Sequence, residues 1–192
     1  MRRIFLLLIM VIAVIALGAG VFFFLHVSPG PAGAGMQATT AAVQVVAADS
    51  KYPPRDIPAG SKEFRSDLYD FSVLYPGSLT AAVRDEGSGA ATITFQYDDK
   101  KEIEGFQIFI VPFAGGQITD ARFKEDIPSG VRTNLKNITI AGATGASFYS
   151  TDKTLGDTAE VWFVRGGYLY EVTTFKEQAQ WLADILGTWT FL

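Results

Sequence analysis

From Ile4 to Leu25 the chain runs without a charge through 22 residues, IFLLLIMVIAVIALGAGVFFFL. At 1.5 Å per residue a helix of that length spans roughly 33 Å, which matches a hydrocarbon core of about 30 Å. A helix satisfies all its backbone polar groups internally, and lipid demands that. Arg2 and Arg3 precede the run, and Asp49 is the first charge after it. The positive-inside rule therefore predicts a transmembrane helix over 4–27 with a cytoplasmic N-terminus, the rest of the chain being exported. A cleaved signal peptide is the rival. Ala32-Gly33-Ala34 has suitable cleavage chemistry, but the apolar core exceeds the 7–15 residues typical of such leaders. A pilin-type leader would need a basic-Gly site and a glutamate early in the apolar run, and neither is present.

Residues 28–61 change character. PGPAGAG, small residues, and then YPPRDIPAG bury too little apolar surface to offset ordering entropy, so a flexible linker is expected. The folded body is expected at 62–192. Without Arg2 and Arg3 the chain holds 14 basic and 20 acidic side chains, and no Lys/Arg cluster appears. That excludes a phosphate-binding face, so nucleic acid is not an expected partner. It also argues against a domain lying flat on anionic lipid. The chain has no cysteine, and its one histidine is His26 beside the apolar run. Thiolate nucleophiles, disulfides, Cys- or His-ligated metals and Ser–His pairs are thereby removed from the folded part.

The body reads as strands with two helical interruptions. Phe71–Tyr75 is a strand stopped by Pro76-Gly77. Leu79–Val83 turns through Gly87-Ser88-Gly89 into Ala91–Tyr97, where Ile93, Phe95 and Tyr97 alternate with polar residues. Phe106–Phe113 is apolar at nearly every position and reads as a strand covered on both faces. Thr119 is placed to cap a short helix, with Ile118 and Phe123 spaced as a hydrophobic staple. Ile138–Ile140 and Ala143–Ser150 form a hairpin around Ala141-Gly142. Ala159–Arg165 and Tyr168–Thr174 form another around Gly166-Gly167, whose glycines supply the positive φ that tight hairpins require. A second helix is expected over Phe175–Leu186, with Thr174 and Glu177 as a capping box, Gln178, Leu182, Ile185 and Leu186 on one stripe, and Gly187 as its stop. Trp189–Leu192 is a final extended piece. The fold class is α+β, an antiparallel sheet flanked by helices.

The opening Tyr69-Asp70-Phe71-Ser72-Val73-Leu74-Tyr75-Pro76 resembles the FSFxYP strand that begins domains of the PsbP-like superfamily. Ile185-Leu186-Gly187-Thr188-Trp189-Thr190-Phe191 resembles that family's terminal iLxTFxF. The resemblance covers about Glu63 to Leu192 and implies an α-β-α sandwich in a non-catalytic adaptor family. Gly77, Ser78 and Leu79 stand where the family often has a tryptophan. The photosynthetic members use histidine and acidic residues near metal, and this domain has no histidine, so the resemblance carries fold and not a role in oxygen evolution.

Three groups are candidates for chemistry. Asp98, Asp99, Glu102 and Glu104 are calcium-type oxygen ligands, but Lys100 and Lys101 lie among them and a glycine-bearing calcium loop is missing, which favours a solvated hairpin loop. Glu160 and Glu171 lie on neighbouring strands, as a glycosidase pair would. Counting from the Gly-Gly turn pairs Glu160 with residue 173, so Glu171 is a diagonal neighbour. Trp162, Phe163, Tyr168, Tyr170 and Phe175 gather on one hairpin. Trp162, Tyr168 and Tyr170 are the candidate ligand or protein contacts, against a core reading under the last helix with Trp181. Asn137-Ile138-Thr139 matches a glycosylation sequon and is taken as chance. The sequence thus predicts an extracytoplasmic binding or adaptor module, tethered by its N-terminal helix, with an envelope protein as partner and with no catalytic residue, cofactor or metal. A carboxylate-dependent hydrolase, or a carrier of a small ligand or metal, is the alternative. Protease added outside intact spheroplasts is expected to cut within 28–61 and release the folded body. A mature chain that is soluble and trimmed near residue 34 would overturn the anchor.

Overall fold

The computed structural model describes residues 54–97, 105–127, 129–152 and 156–192. The expected anchor, most of the linker and the acidic group Asp98, Asp99, Glu102 and Glu104 lie outside them. Among the described residues no helix is long and apolar enough to cross a membrane.

Ten strands form two antiparallel sheets. Strands β3 (Leu79–Gly87), β4 (Ala90–Tyr97), β5 (Gly105–Pro112), β6 (Thr133–Ile140), β7 (Ala143–Asp152), β8 (Gly156–Arg165) and β9 (Tyr168–Phe175) make a seven-stranded sheet in the order β3-β4-β5-β9-β8-β7-β6. The remaining strands, β1 (Ser61–Ser66), β2 (Phe71–Pro76) and β10 (Thr190–Phe191), make a three-stranded sheet in the order β1-β2-β10. The expectation of one sheet is corrected here, because β2 pairs with β1 and with the C-terminal β10. β1 carries no alternating apolar pattern and is positioned by its partner strand.

The alternation of strand side chains assigns each residue to a face. Phe106, Ile108, Ile110, Phe163, Tyr170 and Val172 point to the first face, where they meet Phe71, Val73 and Trp189 from the small sheet's end of the chain and Leu182, Ile185 and Leu186 from a helix. That helix, α2 (Ala179–Leu186), and α1 (Asp120–Asp126) are the two α-helices among the described residues. The second face turns Ala146, Phe148, Trp162 and Leu169 toward Phe123 and Ile127 of the α1 segment. Helices therefore lie on opposite faces of the large sheet, as the sandwich expectation required, with the small sheet added on the α2 side.

Thr119 caps α1, its hydroxyl accepting from the Arg122 amide at 3.3 Å. Ile118 and Phe123 meet in the second-face cluster. Gly166 and Gly167 take φ of 60° and 83° in the β8–β9 turn, as a two-residue hairpin demands. The capping box at Thr174 and Glu177 does not form. β9 continues through Phe175, a 3₁₀ turn covers Lys176–Gln178, and α2 begins only at Ala179 with no side-chain cap. The Thr174 hydroxyl is engaged elsewhere, 2.7 Å from the Gly105 carbonyl and 2.8 Å from Gln178 Oε1. At the other end of the body Arg55 donates to the Thr188 carbonyl at 2.5 Å and Gly77 N–H to Gly60 at 2.7 Å, so the last residues before β1 are fastened to it.

Gly145 on β7 shows how tightly the sheet is packed beneath its aromatic residues. A Cβ there would collide with the Trp162 carbonyl and come within 2.7 Å of Phe163 Cβ. Gly145→Ala is expected to destabilise the domain by about 1–3 kcal/mol through overpacking, read as a lower urea midpoint with an unchanged m-value.

Candidate functional site

Glu160 and Glu171 fall on the second face of the large sheet. β8 and β9 pair Glu160 with Thr173 and Trp162 with Glu171, so the carboxylates are diagonal neighbours, the register expected from the Gly-Gly turn. Both residues are about 4% exposed. In strands whose neighbours on either side are apolar, the alternation leaves these two side chains no route to solvent.

Their partners differ. Among the described residues no cation pairs with Glu160. Its Oε1 accepts from Thr158 Oγ1 at 2.7 Å, and its Oε2 accepts from Thr173 Oγ1 at 2.6 Å and from Trp162 Nε1 at 3.3 Å. Burial pushes its pKa up to about 7 and the Asp152 charge adds to the rise, while the three hydrogen bonds hold it back. Glu171 faces α1. Its Oε1 lies 3.5 Å from Arg122 Nη2, and its carboxyl neighbours that of Asp126. Arg122 Nε in turn contacts Asp126 Oδ2. Each of two neighbouring carboxyl groups disfavours the ionised form of the other. Burial, followed by the neighbouring Asp126, lifts Glu171 well above the ordinary carboxylic range. Asp126 is raised chiefly by burial, and contact with the Glu171 carboxyl works against that rise. Arg122 Nε, Asp126 Oδ2 and Glu171 Oε1 are buried and make no well-formed hydrogen bond, so the cluster is held by ion-pair contact.

The aromatic candidates separate across the sheet. Trp162 is fully buried on the second face, stacked 5.1 Å from Phe123 at 21° and set edge-on to Phe148 at 5.3 Å. The Arg132 guanidinium covers the far side of Phe123 at 4.1 Å. Tyr170 is 1% exposed on the first face, stacked 5.0 Å from Phe163, and its hydroxyl donates to the Tyr69 carbonyl at 2.8 Å. Tyr168, half-buried, meets Tyr69 edge-on at 5.1 Å. Trp162 and Tyr170 are buried on opposite faces of the sheet, and Tyr168 lies on the face of Tyr170. They build the core, Trp162 under α1 and the two tyrosines against the small sheet. Trp181 packs on Phe106, 5.8 Å away.

The sequence reading missed the α1 residues. Arg122 and Asp126, one turn apart, are the i,i+4 pair of an amphipathic segment, and an acidic residue inside each of the apolar runs AEVWFV and YLYEVT is the trace that a buried carboxylate leaves. Among the described residues no three His, Cys, Asp or Glu side chains are grouped to hold a metal ion. The apolar anchors of α1 are Phe123 and Ile127, worth about 3–6 kcal/mol together at the usual value for a buried large side chain.

No protein-family model matches the sequence, and no curated protein matches it. Among solved structures, a protein from Bacteroides thetaiotaomicron is similar with a TM-score of 0.48 and 16% identity over 69% of this chain and 49% of its own, so this chain spans about half of that protein. Cyanobacterial PsbP (CyanoP) from Synechocystis sp. PCC 6803 is similar with a TM-score of 0.49 and 12% identity, over 74% of this chain and 99% of its own. Neither likeness is close enough to assign a family, and the class defined by the fold is an antiparallel α+β domain.

Glu160 gives a pH prediction. Its folded value lies above its ordinary 4.5, so the stability it contributes is complete below about pH 4.5 and is lost as pH rises through about 7. That difference corresponds to about 3 kcal/mol. Between about pH 5 and about pH 8 the unfolding free energy of the full-length chain should fall by about 2–3 kcal/mol more than that of Glu160→Gln, measured by urea titration. Equal slopes in the two proteins would show that Glu160 keeps one protonation state across this range.

Proposed function

We propose that the chain is a binding or adaptor module of the cell envelope, anchored by its N-terminal helix with the folded body outside the cytoplasm, and that it transforms no substrate. The observation that carries this reading is the state of the two carboxylates best placed for hydrolysis. Glu160 and Glu171 are about 4% exposed, and each is committed to neighbours within the domain. A general acid must reach the proton it transfers within hydrogen-bonding distance of substrate, and a buried pair under a helix does not.

One observation favours the hydrolase alternative: Glu160 titrates near 7, where acid–base catalysis works well. Three protein donors already engage both its oxygens, and structural carboxylates in an apolar setting acquire the same displacement by burial alone. A binding role asks less of the interior and more of the rim. β6 is the outer strand of the large sheet, with six of its eight residues exposed. Leu135 on it is 47% exposed and Val131 just before it 38%. Exposed apolar side chains on an unpaired sheet edge are a surface that a partner strand can extend.

The test is a photo-crosslinking residue at Leu135, with Val83 on the opposite outer strand as comparison, in cells expressing the full chain. A reproducible adduct with one envelope protein from Leu135 is expected. Absence of any adduct from either site, or turnover of envelope glycans that Glu160→Gln or Glu171→Gln abolishes, defeats the proposal.

A further inference from the structure

We propose that β3 is a self-association edge: two copies of this chain pair their β3 strands antiparallel about a two-fold axis at Ala82, which joins their large sheets into one. The inference stands apart from the binding reading, since β3 and β6 are the opposite outer strands of that sheet.

An outer strand presents a row of unpaired backbone N–H and C=O groups, and folded proteins protect such rows with charge, bulges or brevity. The outer strands of this molecule differ in that respect. β6 carries Lys136, and its register breaks between Thr133 and Lys136, with Asn134 at a φ of 56°. β1 of the small sheet carries Lys62, Glu63 and Arg65, and β10 is only 2 residues long. β3 lacks these devices over most of its length. Residues 79–85 pair with β4 without a break, and the irregularity comes only between Asp85 and Gly87. Up to Val83 the stretch reads Leu-Thr-Ala-Ala-Val, uncharged and free of proline. Among the described residues no strand pairs with its outer side.

Register and charge select a second copy as the occupant. Ala82 is the midpoint of the unbroken stretch. With Ala82 on the axis every residue of 79–85 gains an opposite number: Val83 meets Ala81, Arg84 meets Thr80 and Asp85 meets Leu79 of the second copy. Opposed residues of an antiparallel pair share a face. Leu79 and Ala81 belong to the first face, alternation puts Val83 there as well, and the pairing covers a valine that is 59% exposed. Ala82 is exposed on the other face, where it meets its own copy with room for both methyl groups.

The charges at the two ends of the stretch are complementary. Lys62 lies at the start of β3, its Nζ donating to the Leu79 carbonyl at 3.3 Å. Asp85 lies at the end, one carboxylate oxygen accepting from the Gly87 amide at 2.7 Å. Neither contacts an opposite charge among the described residues. Setting Asp85 opposite Leu79 brings it beside Lys62 of the second copy, and the two-fold axis forms that ion pair twice. Within 79–85 no like charges are set against each other.

The chain has no cysteine, so single introduced cysteines report the register directly. In the purified full-length chain in detergent, mild oxidation should couple Ala82→Cys into a disulfide-linked dimer, because directly opposed positions hold their Cβ atoms about 4.5–5.5 Å apart. Thr80→Cys and Leu135→Cys should remain uncoupled under the same conditions. Ala82→Lys and Ala82→Glu should each weaken self-association by about fivefold in sedimentation equilibrium, as like charges meet across the axis, and an equimolar mixture of the two should restore it. Their circular dichroism spectra should match the wild type, since position 82 is exposed. The edge is overturned if the wild-type chain sediments as a monomer at every concentration reached, if Thr80→Cys or Leu135→Cys couples as readily as Ala82→Cys, if Ala82→Lys associates as the wild type does, or if the mixture associates no better than either charged variant alone. None of these outcomes alters what Leu135 on β6 captures in cells.

Discussion

Burial of both faces of the seven-stranded sheet governs the rest of the molecule. A sheet with one wet face tolerates any polar residue on alternate positions. Here Phe163, Tyr170 and Val172 face the small sheet and α2, while Trp162 and Leu169 face α1. Every polar side chain on the middle strands must then find its partner within the protein. Glu160 and Glu171 are the costliest of these, and the second face is organised around satisfying them. Thr158, Thr173 and the Trp162 indole N–H converge on one, and Arg122 and Asp126 come down from α1 onto the other.

Much of the body was legible because its signals are local. Gly166-Gly167 and Ala141-Gly142 both turn with positive φ, Thr119 caps, and Phe106, Ile108 and Ile110 alternate with less buried positions. The illegible parts depend on distant pairing. Lys62, Glu63 and Arg65 give β1 no apolar rhythm, and it exists because β2 offers a ladder. The separation into two sheets arises from Trp189 and Phe191, which carry the C-terminus back beside Phe71. Thr174 and Glu177 satisfy a capping pattern, yet tertiary contact diverts the Thr174 hydroxyl to Gly105 and lets the strand run on. Propensity yields to tertiary context in such places.

The candidate site was half legible. Counting from the Gly-Gly turn correctly set Glu160 opposite Thr173 and made Glu171 diagonal. It could not show that α1, more than thirty residues upstream of Glu171 in the chain, lies over that face. Nor could the aromatic residues of the β8–β9 hairpin be sorted without the faces: adjacent letters such as Trp162 and Phe163 belong to opposite cores. An acidic residue in an otherwise apolar strand is better read as a demand for a partner elsewhere in the chain than as a catalytic group waiting for substrate.

Glu160 and Glu171 sit on one face with the same exposure, so their contrast isolates the effect of neighbours. Three hydrogen-bond donors stabilise the charged form of Glu160 and keep its pKa near neutrality despite full burial. Glu171 has an acidic neighbour and shares Arg122 with that neighbour, so burial and the Asp126 charge raise its pKa well above the ordinary carboxylic range. The first arrangement is made by the sheet's own strands, β8 and β9. The second is completed by a seven-residue helix whose apolar attachment of about 3–6 kcal/mol is comparable with the several kcal/mol that an uncompensated buried charge imposes. The same strand pattern thus buries one carboxylate among hydroxyls of its own hairpin and another beneath a helix from a distant part of the chain, and only the second ties two parts of the fold together.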